Sequence, residues 1–186
     1  DQRCMDAAVS GGHGNVVEFI AEELGMTMVP SQRAVNEAAA NGMLTLLRDK
    51  CHEWKLFPDT GGANGVAKKG HLEVLEWLAE RRVYPNRSGA DWAAMKGKLE
   101  VLEWLATLGP EDLRVYPSQG GADLVAMKGH LEALEWLAML EPEQHRVYPG
   151  QDGANWAAEN GHLNVLEWLA GLKPEERRVY PDQGGA

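Results

Sequence analysis

A ten-residue phrase that returns along the chain is the feature that most constrains its fold. Gly-His-Leu-Glu-Val-Leu-Glu-Trp-Leu-Ala at Gly70–Ala79 recurs with few changes at Gly97–Ala106, Gly129–Ala138 and Gly161–Ala170. Self-similarity at a spacing near thirty residues is the sequence signature of repeat architectures. In such architectures each copy forms one supersecondary unit and packs against its neighbours. The chain is therefore predicted to form one repeat domain without a single central core.

A second phrase gives the same period and fixes the boundaries of the copies. Arg-Val-Tyr-Pro, or a weaker version of it, ends at Pro30, Pro58, Pro85, Pro117, Pro149 and Pro181. The predicted copies are residues 1–30, 31–58, 59–85, 86–117, 118–149 and 150–181. Residues 182–186 resemble the start of a seventh copy, and we expect the array to continue beyond both ends because natural arrays close with polar capping repeats.

Each copy contains two short helical patterns separated by a glycine. In the last copy the alanines of the first pattern fall on one side at helical spacing: Ala154, Ala157 and Ala158. The second pattern has a broad apolar face composed of Leu163, Val165, Leu166 and Leu169. Gly161 lies between them, where a glycine ends a helix. The Gly-Gly pairs at 61–62, 120–121 and 184–185 are predicted to be turn residues that open the copies.

These residues carry a resemblance to the ankyrin repeat family. Its pattern is roughly Thr-Pro-Leu-His, one variable residue, Ala-Ala, two variable residues and Gly-His-Leu-Glu-Val-Val, and the run from Asp152 to Leu163 is similar to it. The resemblance implies an all-α solenoid of about six helix-turn-helix repeats with protruding finger loops. One departure is systematic, since Asp or Asn replaces the family's His, at Asp6, Asn36, Asn64, Asp91, Asp123 and Asn155. We expect these side chains to accept the structural hydrogen bonds that this His makes.

Composition narrows the classes of function. A formal net charge of −10 argues against a nucleic-acid backbone as the main partner, and no run of 18 apolar residues is present to cross a membrane. The two cysteines, Cys4 and Cys51, share no repeat position, which favours a reducing, intracellular setting. We find no catalytic motif, metal-ligand spacing or cofactor loop, so neither an enzyme nor a metal or cofactor site is predicted. The histidines of the Gly-His phrases are predicted to be structural.

Two surfaces are candidates for binding a partner. The resemblance implies that the variable residues of the first helices face a concave groove: Lys68, Lys69, Trp92, Met95, Lys96, Leu124, Met127, Lys128 and Trp156. The second surface is the row of finger tyrosines Tyr84, Tyr116 and Tyr148, which could instead lock one finger to the next. A third set, Trp77, Trp104, Trp136 and Trp168, is expected to pack between copies or to form a partly exposed aromatic seam.

The function predicted from these features is protein–protein interaction. The expected partner is another protein with an acidic segment and apolar anchors, seated in a basic and apolar groove whose opposite side is rich in glutamate. Two alternatives stay open: a structural spacer or assembly component of a larger complex, and the recruitment arm of an enzyme whose catalytic part lies outside this chain. The sequence does not indicate the oligomeric state.

Overall fold

The computed structural model describes residues 2–22 and 28–182, and these residues form α-helices joined by turns and loops. Twelve α-helices occur in these two ranges, which contain no β-strand, so the all-α prediction is confirmed for the described residues. Numbered α1 to α12, they are Gln2–Ser10, Gly14–Glu22, Gln32–Ala40, Leu44–Trp54, Thr60–Lys69, Leu72–Ala79, Arg87–Met95, Leu99–Thr107, Gln119–Lys128, Leu131–Ala138, Gln151–Glu159 and Leu163–Gly171. Each of the six intervals defined from the sequence holds two of these helices.

The chain divides into two compact units, Asp1–Gly89 and Ala90–Ala186, and the boundary falls within α7. In the first unit, α1, α3 and α5 pack side by side, and each packs on the helix that follows it, α2, α4 or α6. In the second unit, α9 packs on α11, α9 on α10, and α11 on α12. Within each unit, the odd-numbered helices named here, which we call first helices, pack on one another, and each packs on the even-numbered second helix that follows it.

Small residues on the first helices and leucines on the second helices form the core. In α5, Ala63, Val66 and Ala67 have no exposed surface, and small side chains of this kind allow helix axes to approach closely. In α6, α8 and α10 the residues with no exposed surface are paired leucines: Leu75 and Leu78, Leu102 and Leu105, Leu134 and Leu137. Burying one such leucine stabilises the fold by about 1.5–3 kcal/mol.

The turn within each pair has the same backbone geometry six times. Its glycine adopts a positive φ between 63° and 84° at Gly12, Gly42, Gly70, Gly97, Gly129 and Gly161. The next residue then donates its N–H to a carbonyl five residues earlier, as in His130 to Val125 at 3.3 Å. This hydrogen bond satisfies a carbonyl that the helix end leaves unpaired, and only glycine adopts the left-handed conformation at little cost.

The prediction that the Gly-Gly pairs are turn residues is wrong for the two pairs within the described residues. Gly61 and Gly62 lie in the first turn of α5, and Gly120 and Gly121 lie in the first turn of α9. The second glycine of each pair is required by packing, because a Cβ at Gly62 would come within 2.7 Å of Asn36 Oδ1. The pair at 184–185 lies outside the described residues.

The apolar face predicted for α12 is confirmed in part. Val165 and Leu169 are fully buried and Leu166 is half-buried, but Leu163 is 64% exposed. Leu163, at the start of the helix, has the spacing of the apolar face, but no packing partner covers it. Periodicity identifies which residues share a face, and it does not show how far the neighbouring helix extends over that face.

Candidate partner-binding surfaces

One hydrogen bond links each helix pair to the loop that follows it. The side-chain Oδ1 of the Asp or Asn in every first helix accepts the backbone N–H of the residue after the loop proline. We call this the Asp/Asn contact. It joins Asp6 to Ser31, Asn36 to Asp59, Asn64 to Asn86, Asp91 to Ser118, Asp123 to Gly150 and Asn155 to Asp182, at 2.6–3.1 Å. The expectation that these side chains act as structural hydrogen-bond acceptors is confirmed.

The electrostatics of the Asp/Asn contact differ between its acidic members. Burial raises the pKa of Asp123, and repulsion from Asp152 adds to that effect, although hydrogen bonds from Gly150 and Gly153 oppose it. For Asp6, burial acts in the same direction, but the hydrogen bonds from Ser31 and Gln2 outweigh it and lower the pKa. The chain therefore uses a carboxylate at Asp123 where the surroundings favour a neutral group.

In the second unit, the first helices present a row of apolar and lysine side chains. We call it the first-helix row: Trp92, Met95, Lys96, Leu124, Met127, Lys128 and Trp156. Trp92, at 39% exposed, and both lysines lie in solvent, while Met95, Leu124, Met127 and Trp156 are half-buried. Because α9 packs on α11, Leu124 and Trp156 lie on adjacent helices. No ion pair holds Lys96 or Lys128 within the described residues.

The two predicted groove lysines of the first unit have a different setting. Lys69 is exposed, and its Nζ donates to Asn41 Oδ1 at 2.5 Å, which ties α5 to the turn of the preceding helix pair. Lys68 is half-buried. Lys69 therefore has an intramolecular partner that the sequence did not indicate, because the two residues are 28 positions apart.

Charge is segregated by helix. The glutamates of the second helices all face solvent: Glu73, Glu76, Glu100, Glu103, Glu132, Glu135 and Glu167. A lysine precedes three of the six turn glycines: Lys69 and Lys128 end first helices, and Lys96 directly follows the end of α7. Within the second unit, a positively charged edge at Lys96 and Lys128 therefore accompanies second helices with acidic surfaces, although the net charge of the chain is −10.

The finger tyrosines predicted as partner contacts are half-buried and contact the protein itself. The Tyr84 hydroxyl donates to the Ala79 carbonyl at 3.3 Å. Tyr116 stacks on the ring of His145, with centroids 4.2 Å apart and planes 15° from parallel. The ring of Tyr148 has the guanidinium of Arg177 above it, 4.8 Å from its centroid, and its hydroxyl accepts from that group at 2.7 Å.

The Tyr116 and Tyr148 contacts come from loops of the second unit, where inserted residues form the same loop structure three times. Each insertion contains a single 3₁₀ turn, at Glu111–Leu113, Glu143–His145 and Glu175–Arg177. The arginine of the following Arg-Val-Tyr-Pro phrase donates through Nε to the carbonyl six residues earlier, at 3.0–3.1 Å in all three loops. Two of the turns supply His145 and Arg177, whose stacking on Tyr116 and Tyr148 links successive loops. Linked fingers of this kind were one of the two interpretations of the tyrosine row.

The tryptophans of the second helices do not share one environment. Trp77 is 2% exposed; the Arg81 guanidinium lies 4.2 Å from its ring centroid and Phe57 lies beside it. Trp104, Trp136 and Trp168 are half-buried. Packing therefore accounts fully for Trp77 alone, and the other three keep part of each ring in solvent.

Sequence reasoning missed the cavities between turns and helices. A cavity of about 270 Å³ in the first unit is lined by residues of α1, α3 and the Ser31 cap, among them Arg3, Arg33 and Glu37. In the second unit a cavity of about 360 Å³, which we call the turn pocket, is lined by Gly97, Leu99, His130, Leu131, Glu132, Ala133 and Asn164. The recurring Lys-Gly-His phrase at Lys128–His130 was the available signal for this site.

No helix within the described ranges is long and apolar enough to cross a membrane, and the same residues contain no cluster of three potential metal ligands. Neither Cys4 nor Cys51 forms a disulfide, and burial raises the pKa of Cys51 to about 11. A scan against models of protein families finds no match, and a search of curated proteins finds no similar sequence.

Proposed function

We propose that this chain is an ankyrin-type solenoid that binds another protein through the first-helix row. The resemblance rests on the copied residues, and the six Asp/Asn contacts and six positive-φ glycines support it because they repeat one structural unit. Binding at pre-ordered helices costs little conformational entropy, which suits a recognition module. We propose no catalytic role. We propose an intracellular setting because Cys4 and Cys51 share no repeat position.

The observation that carries this proposal is the composition of the first-helix row. Trp92 and Trp156 are large aromatic side chains with surface left in solvent, and tryptophan is enriched among residues that dominate binding energies. Met95 and Met127 adapt their shape to a partner. Lys96 and Lys128 add positive charge next to these apolar groups, so the favoured partner segment is acidic with apolar anchors.

Affinity capture with charge-reversed variants tests the site. The double variant Lys96→Glu/Lys128→Glu should lose a partner that the native chain retains, and added salt should weaken the native capture. Lys55→Glu/Lys173→Glu is the matched control, because it makes the same change of charge at exposed residues outside the first helices. Circular dichroism checks that all variants fold. Equal loss in both double variants would show an effect of net charge and would contradict the proposed site.

A structural spacer is the second candidate, and the linked finger loops favour it. His145 and Arg177 use finger side chains for contacts within the chain, as expected of a protein whose rigidity matters. A spacer would capture no partner through the first-helix row. Capture that is identical for the native chain and for Lys96→Glu/Lys128→Glu would favour this function, or binding at another surface.

A further inference from the structure

The turns of the second unit bring basic and titratable side chains of different helix pairs together. The ring of His130 lies against Gly97 of the preceding turn, where a Cβ would come within 3.3 Å of Nδ1. The ring of His162 lies against Gly129 in the same way, and its Nε2 is 3.0 Å from the Met127 carbonyl oxygen. Lys96 and Lys128 each precede one of these glycines. Lysines and histidines therefore alternate along one edge of the unit.

The turn pocket opens beside this edge and has two kinds of wall. Leu99, Leu131 and Ala133 supply an aliphatic surface, and its volume of about 360 Å³ is enough for a branched aliphatic side chain. His130, Glu132 and Asn164 supply polar groups. Glu132 belongs to α10, whereas Lys128 is the last residue of α9 and Lys96 directly follows the end of α7. The positive charge is thus on the first-helix side of the pocket and the negative charge is on the second-helix side.

The charges around His130 are unbalanced in favour of positive charge. Burial lowers the pKa of His130, and repulsion from His162, Lys128 and Lys96 lowers it further, while its interaction with the Met95 backbone acts in the opposite direction. Lys98, in the same turn as Gly97, is a further cation of this edge, and Glu132 is the acidic residue that lines the pocket. An anion placed at this edge would offset the repulsion that helps to lower the pKa of His130.

We propose that the turn pocket binds an aliphatic side chain of an acidic peptide segment, whose neighbouring carboxylate lies between Lys96 and Lys128 and favours the protonated form of His130. The inference rests on the proposed function, since it assigns the anchor point and the chemistry of the same partner segment. The aliphatic side chain occupies the Leu99, Leu131 and Ala133 wall. The segment then crosses from the basic side toward Glu132, which disfavours a second carboxylate there.

A dependence of affinity on pH follows from linkage. Because the carboxylate interacts more favourably with protonated than with neutral His130, binding raises the pKa of this ring, and affinity increases as the pH falls. A rise of one pKa unit corresponds to an affinity gain of about tenfold once the pH is below both values. Because the pKa of His130 in the free protein lies below 6.5, pH 6 is not far below both values, and we expect a gain of roughly two- to sixfold between pH 8 and pH 6.

Nuclear magnetic resonance titration of the full chain with blocked peptides tests the proposal. Glu-Glu-Leu-Gly should shift the amide signals of Gly97, Leu131 and Ala133, raise the pKa of His130 and bind more tightly at pH 6 than at pH 8. Gln-Gln-Leu-Gly lacks the carboxylates, and Glu-Glu-Gly-Gly lacks the aliphatic anchor. Each of these two peptides should bind at least fivefold more weakly than Glu-Glu-Leu-Gly. Equal binding of the Gln peptide, or unshifted pocket signals, would overturn the proposal.

Two variants separate this proposal from the proposed function. Met43 occupies the turn position equivalent to His130 and lies against Gly12, so His130→Met should fold. Whatever its affinity at pH 8, this variant should lose the gain in affinity between pH 8 and pH 6. Lys96→Gln/Lys128→Gln should lose binding at both pH values. If Glu-Glu-Leu-Gly shifts Trp92 and Trp156 without the pocket signals, the turn-pocket proposal fails and the first-helix row stands. If it shifts neither set, the turn-pocket proposal fails and the capture experiment alone decides the proposed function.

Discussion

Replacement of Asp123 tests whether the Asp/Asn contact stabilises the fold through its acceptor oxygen or through its charge. Asp123 is 8% exposed, and its Oδ1 accepts the Gly150 N–H at 2.6 Å. Asp123→Ala removes the acceptor. Asp123→Asn keeps an acceptor oxygen and removes the charge, and asparagine already occupies this position in three of the six copies, at Asn36, Asn64 and Asn155. The two variants therefore separate the two contributions.

The expected magnitudes differ because the surroundings disfavour the charge. A hydrogen bond to a charged group contributes about 1.5–3 kcal/mol, but Asp123→Ala also removes a buried charge and its repulsion from Asp152. We expect a net loss of about 1–2 kcal/mol for Asp123→Ala. For Asp123→Asn we expect a change within about 0.5 kcal/mol or a gain in stability, because burial and the nearby Asp152 disfavour the charge at this position while the acceptor oxygen is kept.

Urea unfolding followed by circular dichroism measures both variants. With a slope of roughly 1–3 kcal/mol per molar urea, Asp123→Ala should lower the midpoint by about 0.3–2 M. The pH adds a second criterion. The pKa of Asp123 is higher in the folded state than its unfolded value of 3.8. Ionisation of Asp123 therefore destabilises the fold fully at neutral pH, and this destabilisation is lost as the pH falls through the raised pKa toward 3.8. Any advantage of Asp123→Asn should then shrink at pH 4. An equal loss in Asp123→Asn and Asp123→Ala at pH 7 would refute this reasoning.

Three further predictions concern packing and pH. Gly121→Ala should lower the free energy of unfolding by about 1–3 kcal/mol, because its Cβ would enter the Asp91 carboxylate. Gly120→Ala should stabilise α9 by about 0.5–1 kcal/mol, because its Cβ would meet only Ser118 Oγ at 3.6 Å. Equal effects of the two variants in urea unfolding would contradict this. Trp77→Ala should lower the free energy of unfolding by roughly 3–5 kcal/mol, because Trp77 is buried. Trp168 is half-buried, so Trp168→Ala should cause a clearly smaller loss, measured by thermal unfolding. Because the pKa of His130 is lowered in the folded state, native stability should decrease as the pH falls below about 6.5, and the decrease should be smaller in His130→Met.

The sequence predicted the features that depend on local geometry. A glycine between two helical patterns requires a positive φ, and all six such glycines have one. The Asp or Asn at a fixed position was assigned the role of acceptor, and all six accept a backbone N–H. These assignments succeeded because a repeated phrase reports the same constraint several times, so accidental matches are unlikely to recur at every copy.

Features that depend on contacts between copies were not predictable in the same way. Glycine is typical of turns, yet Gly121 lies in a helix. A glycine is needed at this position because the Asp91 carboxylate of the preceding pair approaches its backbone. The stacking of His145 on Tyr116 joins residues that belong to different loops, 29 positions apart. Local propensity describes neither contact, since both depend on how far one helix pair is displaced from the next.

The division of labour within a copy explains why binding is proposed for the first helices. The loops and the Asp/Asn positions use their polar atoms to join one helix pair to the next, as the Arg146 donation to Leu140 and the Asp123 acceptance from Gly150 show. Loss of these hydrogen-bonding atoms is expected to destabilise the fold, as argued for Asp123→Ala. The first-helix row has no such duty at Lys96 and Lys128, and its equivalent positions vary from Lys68-Lys69 to Glu159-Asn160 between copies. Variation at exposed positions on a constant framework is the arrangement by which repeat proteins acquire specificity for a partner.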